Sequence, residues 1–200
     1  MKTLRQQSGI SMIELLVSLA IFTIGLAGFA TLQMRSMQEG FDTSQRSVAI
    51  WRAQELADRV RANNSELDTY MASVNDANIC SAAPTRCADY WGGGGEVAAA
   101  ACTAAQVAAF DAWDVLCNGA DATDAALVES DISLACDDID ATDAAACSDG
   151  SALTLEVCWT SRSATGDDQI AAVRAGNVPT DCANSDLSYL FEYYTLEFRP

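Results

Sequence analysis

The sequence predicts an α+β fold in which a long N-terminal α-helix packs on a small antiparallel β-sheet within a disulfide-rich domain. Three observations predict it. No proline interrupts residues 10–63, and apolar residues recur there at helical spacing. Leu153, Leu155, Val157 and Trp159 alternate with Thr154, Glu156, Cys158 and Thr160, the period of a half-buried strand. Eight cysteines, at 80, 87, 102, 117, 136, 147, 158 and 182, all follow the apolar N-terminal segment, and their even number suits a disulfide framework in an oxidising compartment.

The N-terminal segment carries the strongest signal. From Ile10 to Leu32, 23 residues include a single ionisable side chain, Glu14. As a helix rising about 1.5 Å per residue this run is long enough for one bilayer crossing. Lys2 and Arg5 precede it and an acidic region follows, so the positive-inside bias leaves the N-terminus cytoplasmic and the large domain on the far side of the membrane. A secretory signal cut near Gly28-Phe29-Ala30 and a plain membrane anchor are the rival readings. Glu14 weighs against both, because a carboxylate inside an apolar core costs on the order of a few kcal/mol and neither rival has a use for it.

Ser8-Gly9-Ile10-Ser11-Met12-Ile13-Glu14, set between a short basic leader and a long apolar run, resembles the class III signal of type IV pilins and type II secretion pseudopilins. The resemblance implies that a prepilin peptidase cuts between Gly9 and Ile10 and methylates the Ile10 amine. Cleavage creates a cation that filament packing would bury, and the resemblance implies that Glu14 of one subunit meets the amine of its neighbour. The expected organisation is a leader over 1–9, a membrane and filament-core helix over 10–32, its extramembrane continuation over 33–63 and an acidic cysteine-rich pilin domain over 64–200.

On the continuation, Val48, Ala49, Ala53, Leu56, Ala57 and Val60 form one stripe, with Glu55 and Arg59 one turn apart on the side expected to face solvent. The stretch Trp51 to Asn63, with its Leu-Ala-Asp-Arg-Val-Arg-Ala-Asn ending, is similar to that of the minor pilin PilV family, described as type IV pilus modification proteins. Cys102 to Gln106 followed by Phe110, Asp111 and Trp113 resembles a short helix of the same family. The resemblance implies a minor pilin at or near the filament tip that helps initiate assembly. Its partners would be prepilin peptidase, the other minor pilins, the major pilin and a tip adhesin serving cell adhesion. A minor pseudopilin is the alternative, and a membrane-anchored extracellular enzyme a more distant one.

Composition narrows the chemistry. Residues 1–63 carry a net charge of +2 and residues 64–200 a net charge of −19, which excludes nucleic-acid binding by the exported part. The chain contains no histidine, so His-dependent triads and His-containing zinc sites are ruled out, and neither catalytic residues nor a cofactor are expected. Thr103 and Gln106 form a capping box opening a helix whose buried stripe is Val107, Phe110, Trp113 and Leu116. Cys102 and Cys117, at its opposite ends, are then too far apart to pair. Cys80 and Cys87 can close a small loop around Pro84, as can Cys136 and Cys147, but eight cysteines allow 105 pairings.

Trp91 and Gly92 to Gly95 read as a loop, and Tyr189 to Phe198 as a last strand. Asp121-Ala122-Thr123-Asp124-Ala125-Ala126 recurs at 140–145, an Ala/Asp-rich repeat. Asp137, Asp138, Asp140 and Asp143 are weak calcium candidates, lacking the glycine and distal glutamate of an EF-hand loop.

Overall fold

A computed structural model of the chain describes residues 11–92, 94–118, 131–140, 142, 145–148, 150–161 and 191–200. The chain divides into two compact units, Met1–Gly40 and Phe41–Pro200. Helix α1 spans Met12–Ala62 and so contributes to both. In order there follow α2 (Leu67–Val74), β1 (Tyr90–Gly92), β2 (Gly95–Val97), α3 (Ala104–Trp113), β3 (Asp131–Asp137), β4 (Ala152–Thr160) and β5 (Phe191–Phe198).

The first unit is a stretch of helix in which every described residue from Ser11 to Gly40 is exposed. In the second unit, strands β3, β4 and β5 form an antiparallel sheet in that order, with Leu134 opposite Leu155 and Leu155 opposite Leu196. The expected alternation holds on β4, where Leu153, Leu155, Val157 and Trp159 are at most 1% exposed. They join Ala49, Ala53, Leu56, Ala57 and Val60 of α1 in one core, with Leu67, Tyr70 and Val74 of α2 and Ala108 and Ala112 of α3. This long helix on a small antiparallel sheet is a pilin-like α+β fold.

Cys158 points to the face of β4 opposite that core, as its register requires. That face is not open to solvent: Cys158 is 2% exposed and packs with Phe191 in a second small cluster.

Helix α3 opens on the predicted capping box, in which the Gln106 amide donates to the Thr103 hydroxyl and the Thr103 amide donates to the Gln106 side chain. It ends sooner than the sequence suggests, passing into a wider π-helical turn over Asp114–Asn118. Its burial is two-sided. Ala108, Ala112 and Val115 enter the main core, while Phe110, Trp113 and Cys117 form a satellite cluster with Ile79, Cys87 and Leu116. Helical spacing marks the aromatic face but not the alanine face, because alanine is apolar without being conspicuous in a helical pattern.

Arg59, expected on the solvated side of α1, is drawn inward. Its side chain is 26% exposed and donates to Glu55 at 2.6 Å, to Asp111 at 3.0 Å and to Asp114 at 2.8 Å. The Tyr70 hydroxyl donates to the second Asp111 oxygen at 2.8 Å. Arg52 donates to the Val115 carbonyl and Asn63 to the Ala104 carbonyl, so a row of polar side chains on α1 and just past its end holds α3 and the π-helical turn that follows it. Burial works against the Arg59 charge, but the bonds to Asp114 and Glu55 outweigh it and raise the guanidinium pKa.

Three disulfides are formed among the described residues: Cys80–Cys117, Cys87–Cys102 and Cys136–Cys147. Cys102 and Cys117 stay apart as their positions on α3 require, and the short Cys136–Cys147 loop closes. The Cys80–Cys87 loop does not form, because the turn after α2 carries Cys80 to the C-terminal end of α3. Cys158 is disulfide-bonded too, and Cys182 lies outside the described residues. The expected glycine loop is an antiparallel hairpin, β1 against β2, with Gly95 at a φ of 139° that favours glycine. Residues 121–126 of the repeat lie outside the described residues.

Arg59→Ala removes the guanidinium on which Glu55, Asp111 and Asp114 converge, so the urea midpoint of the full chain in neutral detergent should fall by the equivalent of about 1–3 kcal/mol. Arg59→Lys should recover less than half of that, since an ammonium cannot reach carboxylates on three sides as a guanidinium fork does. A second prediction concerns Glu192 on β5, whose carboxyl pKa is raised by burial and by the nearby Asp42. A raised acid favours the folded state below its ordinary range and loses that contribution as pH rises through its folded value. Glu192→Gln should therefore be more stable than wild type at pH 7, and the difference should vanish on acidification.

Candidate assembly site

The apolar part of α1 satisfies its own polar side chains. Ser18 donates to the Leu15 carbonyl, Thr23 to Ala20, and Thr31 to both Ala27 and Gly28, so these hydroxyls place no unmet polar demand on an apolar environment. Glu14 is different. It lies in the first turn of α1, exposed, and its carboxylate has no ion-pair or hydrogen-bond partner among the described residues. Its neighbours Met12, Ile13, Leu15, Leu16 and Val17 are between 53% and 82% exposed. The helix is long and apolar enough to cross a membrane, and the most apolar 18-residue window has a mean hydropathy of 2.2 with none of it buried.

Gly9 and Ile10 lie outside the described residues. A side chain built at Gly25, Gly28 or Gly40 would meet nothing within 4 Å, so no contact within this chain demands glycine there. Arg35 ends the apolar run and pairs with Glu39 at 3.3 Å in full exposure, a contact that contributes little to stability.

The transition from the exposed to the buried part of α1 falls at Phe41 and Asp42. Asp42 is 5% exposed and accepts a hydrogen bond from Ser161, whose hydroxyl also reaches Glu192 at 3.5 Å. Further along, Trp51 is 75% exposed above a shallow depression that it lines with Gln54, Glu55, Asp58, Arg59 and Ala62. Sequence periodicity marks Trp51 as lying off the core stripe, but does not show that a concave surface adjoins it.

Of the aspartates named as calcium candidates, Asp137, Asp138 and Asp140 are not gathered into a metal-ligating group with other described residues. Asp138 accepts from the Ser148 amide, the Ser151 hydroxyl and the Asp140 amide, and thereby shapes the turn that follows β3. Bonding from Ser148, foremost from its side chain, holds the Asp138 carboxyl below its usual range. Asp137 ends β3, Asp140 bonds Thr142 and Asp143 lies outside the described residues. Among the described residues no group of three or more metal-ligating side chains is gathered.

Comparison with known families agrees with this geometry. Residues 4–30 match the prokaryotic N-terminal methylation motif, and residues 31–113 match the type IV pilin Tt1218 family model. Neither a search of curated proteins nor one of solved structures finds a significant match. The motif implies processing by prepilin peptidase, and with the apolar helix it fits inner-membrane anchoring and display on a pilus. An N-terminal methylation motif that runs without a gap into a match to a type IV pilin domain, on a helix exposed as far as Gly40 and buried along one stripe beyond it, is consistent with a type IV pilin that carries a prepilin signal.

Proposed function

We propose that the chain is a minor pilin of the PilV type, a structural and non-enzymatic subunit present in few copies at or near the tip of a type IV pilus, where it helps initiate assembly. The observation that carries the filament role is the apolar helix from Met12 to Leu32, exposed throughout and interrupted in its first turns by one carboxylate. A membrane anchor needs the apolar surface but not Glu14, whereas a filament needs both. The minor-pilin reading rests on the Asp58-Arg59-Val60-Arg61-Ala62-Asn63 helix ending, in which Arg59 and Asn63 bond α3 and which resembles the PilV family. A tip adhesin and the other minor pilins are the proposed neighbours, and the N-terminus is proposed to lie on the cytoplasmic side before extraction into the filament. A minor pseudopilin shares the same signal and is the second reading.

The test is quantitative mass spectrometry of sheared surface filaments, paired with deletion of the gene. A chain beginning at methylated Ile10, present at a small fraction of the main subunit, together with a loss of surface pili on deletion, supports the proposal. A chain that makes up most of the filament would sink the minor role. Loss of protein secretion with pili intact would replace it by the pseudopilin reading.

Glu14→Ala should leave cleavage after Gly9 largely unchanged while lowering incorporation into filaments by about tenfold or more, because the amine would then be buried unpaired. Incorporation at the wild-type level would remove the charge-neutralisation role from Glu14.

A further inference from the structure

The β1–β2 hairpin is held far more firmly than its size requires. The Cys87–Cys102 disulfide closes its base, with Cα atoms 5.8 Å apart. Just inside, the Ala100 amide donates to the Arg86 carbonyl at 3.1 Å, and the Ala99 amide donates to the Asp89 carboxylate at 2.6 Å. The Arg86 guanidinium lies over the Tyr90 ring at 4.4 Å and over the Trp113 ring of α3 at 5.1 Å, fastening the hairpin to the satellite core. A two-stranded hairpin of this length is marginal by itself in water, so the added ties are what keep it formed.

Register then divides its side chains between two faces. Tyr90 pairs with Val97 and both share the face that Arg86 covers at Tyr90, where they are 37% and 40% exposed. Trp91 pairs with Glu96 and both take the other face, because successive strand residues alternate. Trp91 is 82% exposed and Glu96 is exposed beside it, with directly opposed Cβ atoms about 5 Å apart in such a pair. An exposed tryptophan on a pre-ordered support is the kind of residue that anchors recognition, since little ordering entropy is lost on binding.

We propose that the outer face of this hairpin docks an arginine or lysine side chain of a partner protein, with the cation seated on the Trp91 indole and paired to the Glu96 carboxylate. The ring offers a negative π face and the carboxylate offers acceptors only, a combination that suits a cation. The surrounding field favours the same partner: residues 64–200 carry a net charge of −19, which draws basic segments in and repels acidic ones. A second copy of this acidic domain, with four basic residues in that span, is a poor match. A neutral glycan would use the ring but gain less from the carboxylate and nothing from the field.

The test uses the full chain in a neutral detergent at about 0.15 M salt. The probe is a fluorescent peptide of alternating glycine and arginine, followed by anisotropy, with a glycine–glutamine peptide as the uncharged control. Trp91→Ala should weaken arginine-peptide binding by about 3- to 30-fold, the range of a desolvating cation–π contact, and Glu96→Gln by severalfold. Glu197→Gln makes the same charge change on exposed β5 and should leave the affinity within about twofold. Because Trp91 is so exposed, its replacement should preserve the fold, which circular dichroism checks. The proposal fails if Trp91→Ala binds the arginine peptide as wild type does, or if Glu197→Gln weakens binding as much as Glu96→Gln. It also fails if a neutral oligosaccharide binds in a Trp91-dependent way while the peptide does not.

Discussion

Everything in the folded unit is organised around the stretch of α1 from Phe41 to Ala62, which presents two kinds of surface to its surroundings. One is the stripe of Ala49, Ala53, Leu56, Ala57 and Val60, removed from water and shared by the sheet, α2 and α3. The other is the row of Arg52 and Arg59, continued by Asn63 just past the helix, which spends its donors on α3 and the turn that follows it. Apolar burial supplies the larger part of the stabilisation, since it is non-directional and accumulates over all four elements. The polar row contributes less energy and more specificity: Arg59 has to lose water, and it does so only where Glu55, Asp111 and Asp114 converge on it. Tyr70 completes that arrangement by occupying the free oxygen of Asp111.

The acidic composition explains why this core is reinforced covalently. A chain with a formal net charge of −17 repels itself when compact, and the described core is modest. The Cys80–Cys117 link spans 37 residues, Cys87–Cys102 spans 15 and Cys136–Cys147 spans 11. On the chain-entropy model each such closure removes about 3–4 kcal/mol of freedom from the unfolded state. Two of them converge on α3, and the third closes the turn that Asp138 shapes, so the bridges sit where the chain leaves regular structure.

The exposed and the buried parts of α1 are both apolar, and their difference lies in pattern. From Ile10 to Leu32 apolar residues surround the helix, which suits a medium that is apolar on every side. Beyond Phe41 they fall on one stripe with polar residues between them, which suits a helix with a core on one side and water on the other. Glu14 is the single ionisable exception to the first pattern.

Residues whose structure depends on near neighbours were legible in the chain itself. These include the helix through Ala62, the β4 alternation, the Thr103–Gln106 capping box, the membrane-length run and Glu14 within it. Each rests on a repeat or a spacing that a single element imposes. What required the tertiary structure were matches between distant residues: that Cys80 joins Cys117 rather than Cys87, that Arg59 faces three carboxylates rather than solvent, and that Cys158 is covered by Phe191. It also required the structure to show that Gly92 and Gly95 belong to a hairpin whose outer face carries Trp91 and Glu96. The physical reason is common to all of these. Periodicity states which side of an element avoids water, whereas the partner brought to that side is chosen by the packing of elements dozens of residues apart, and no local pattern records that choice.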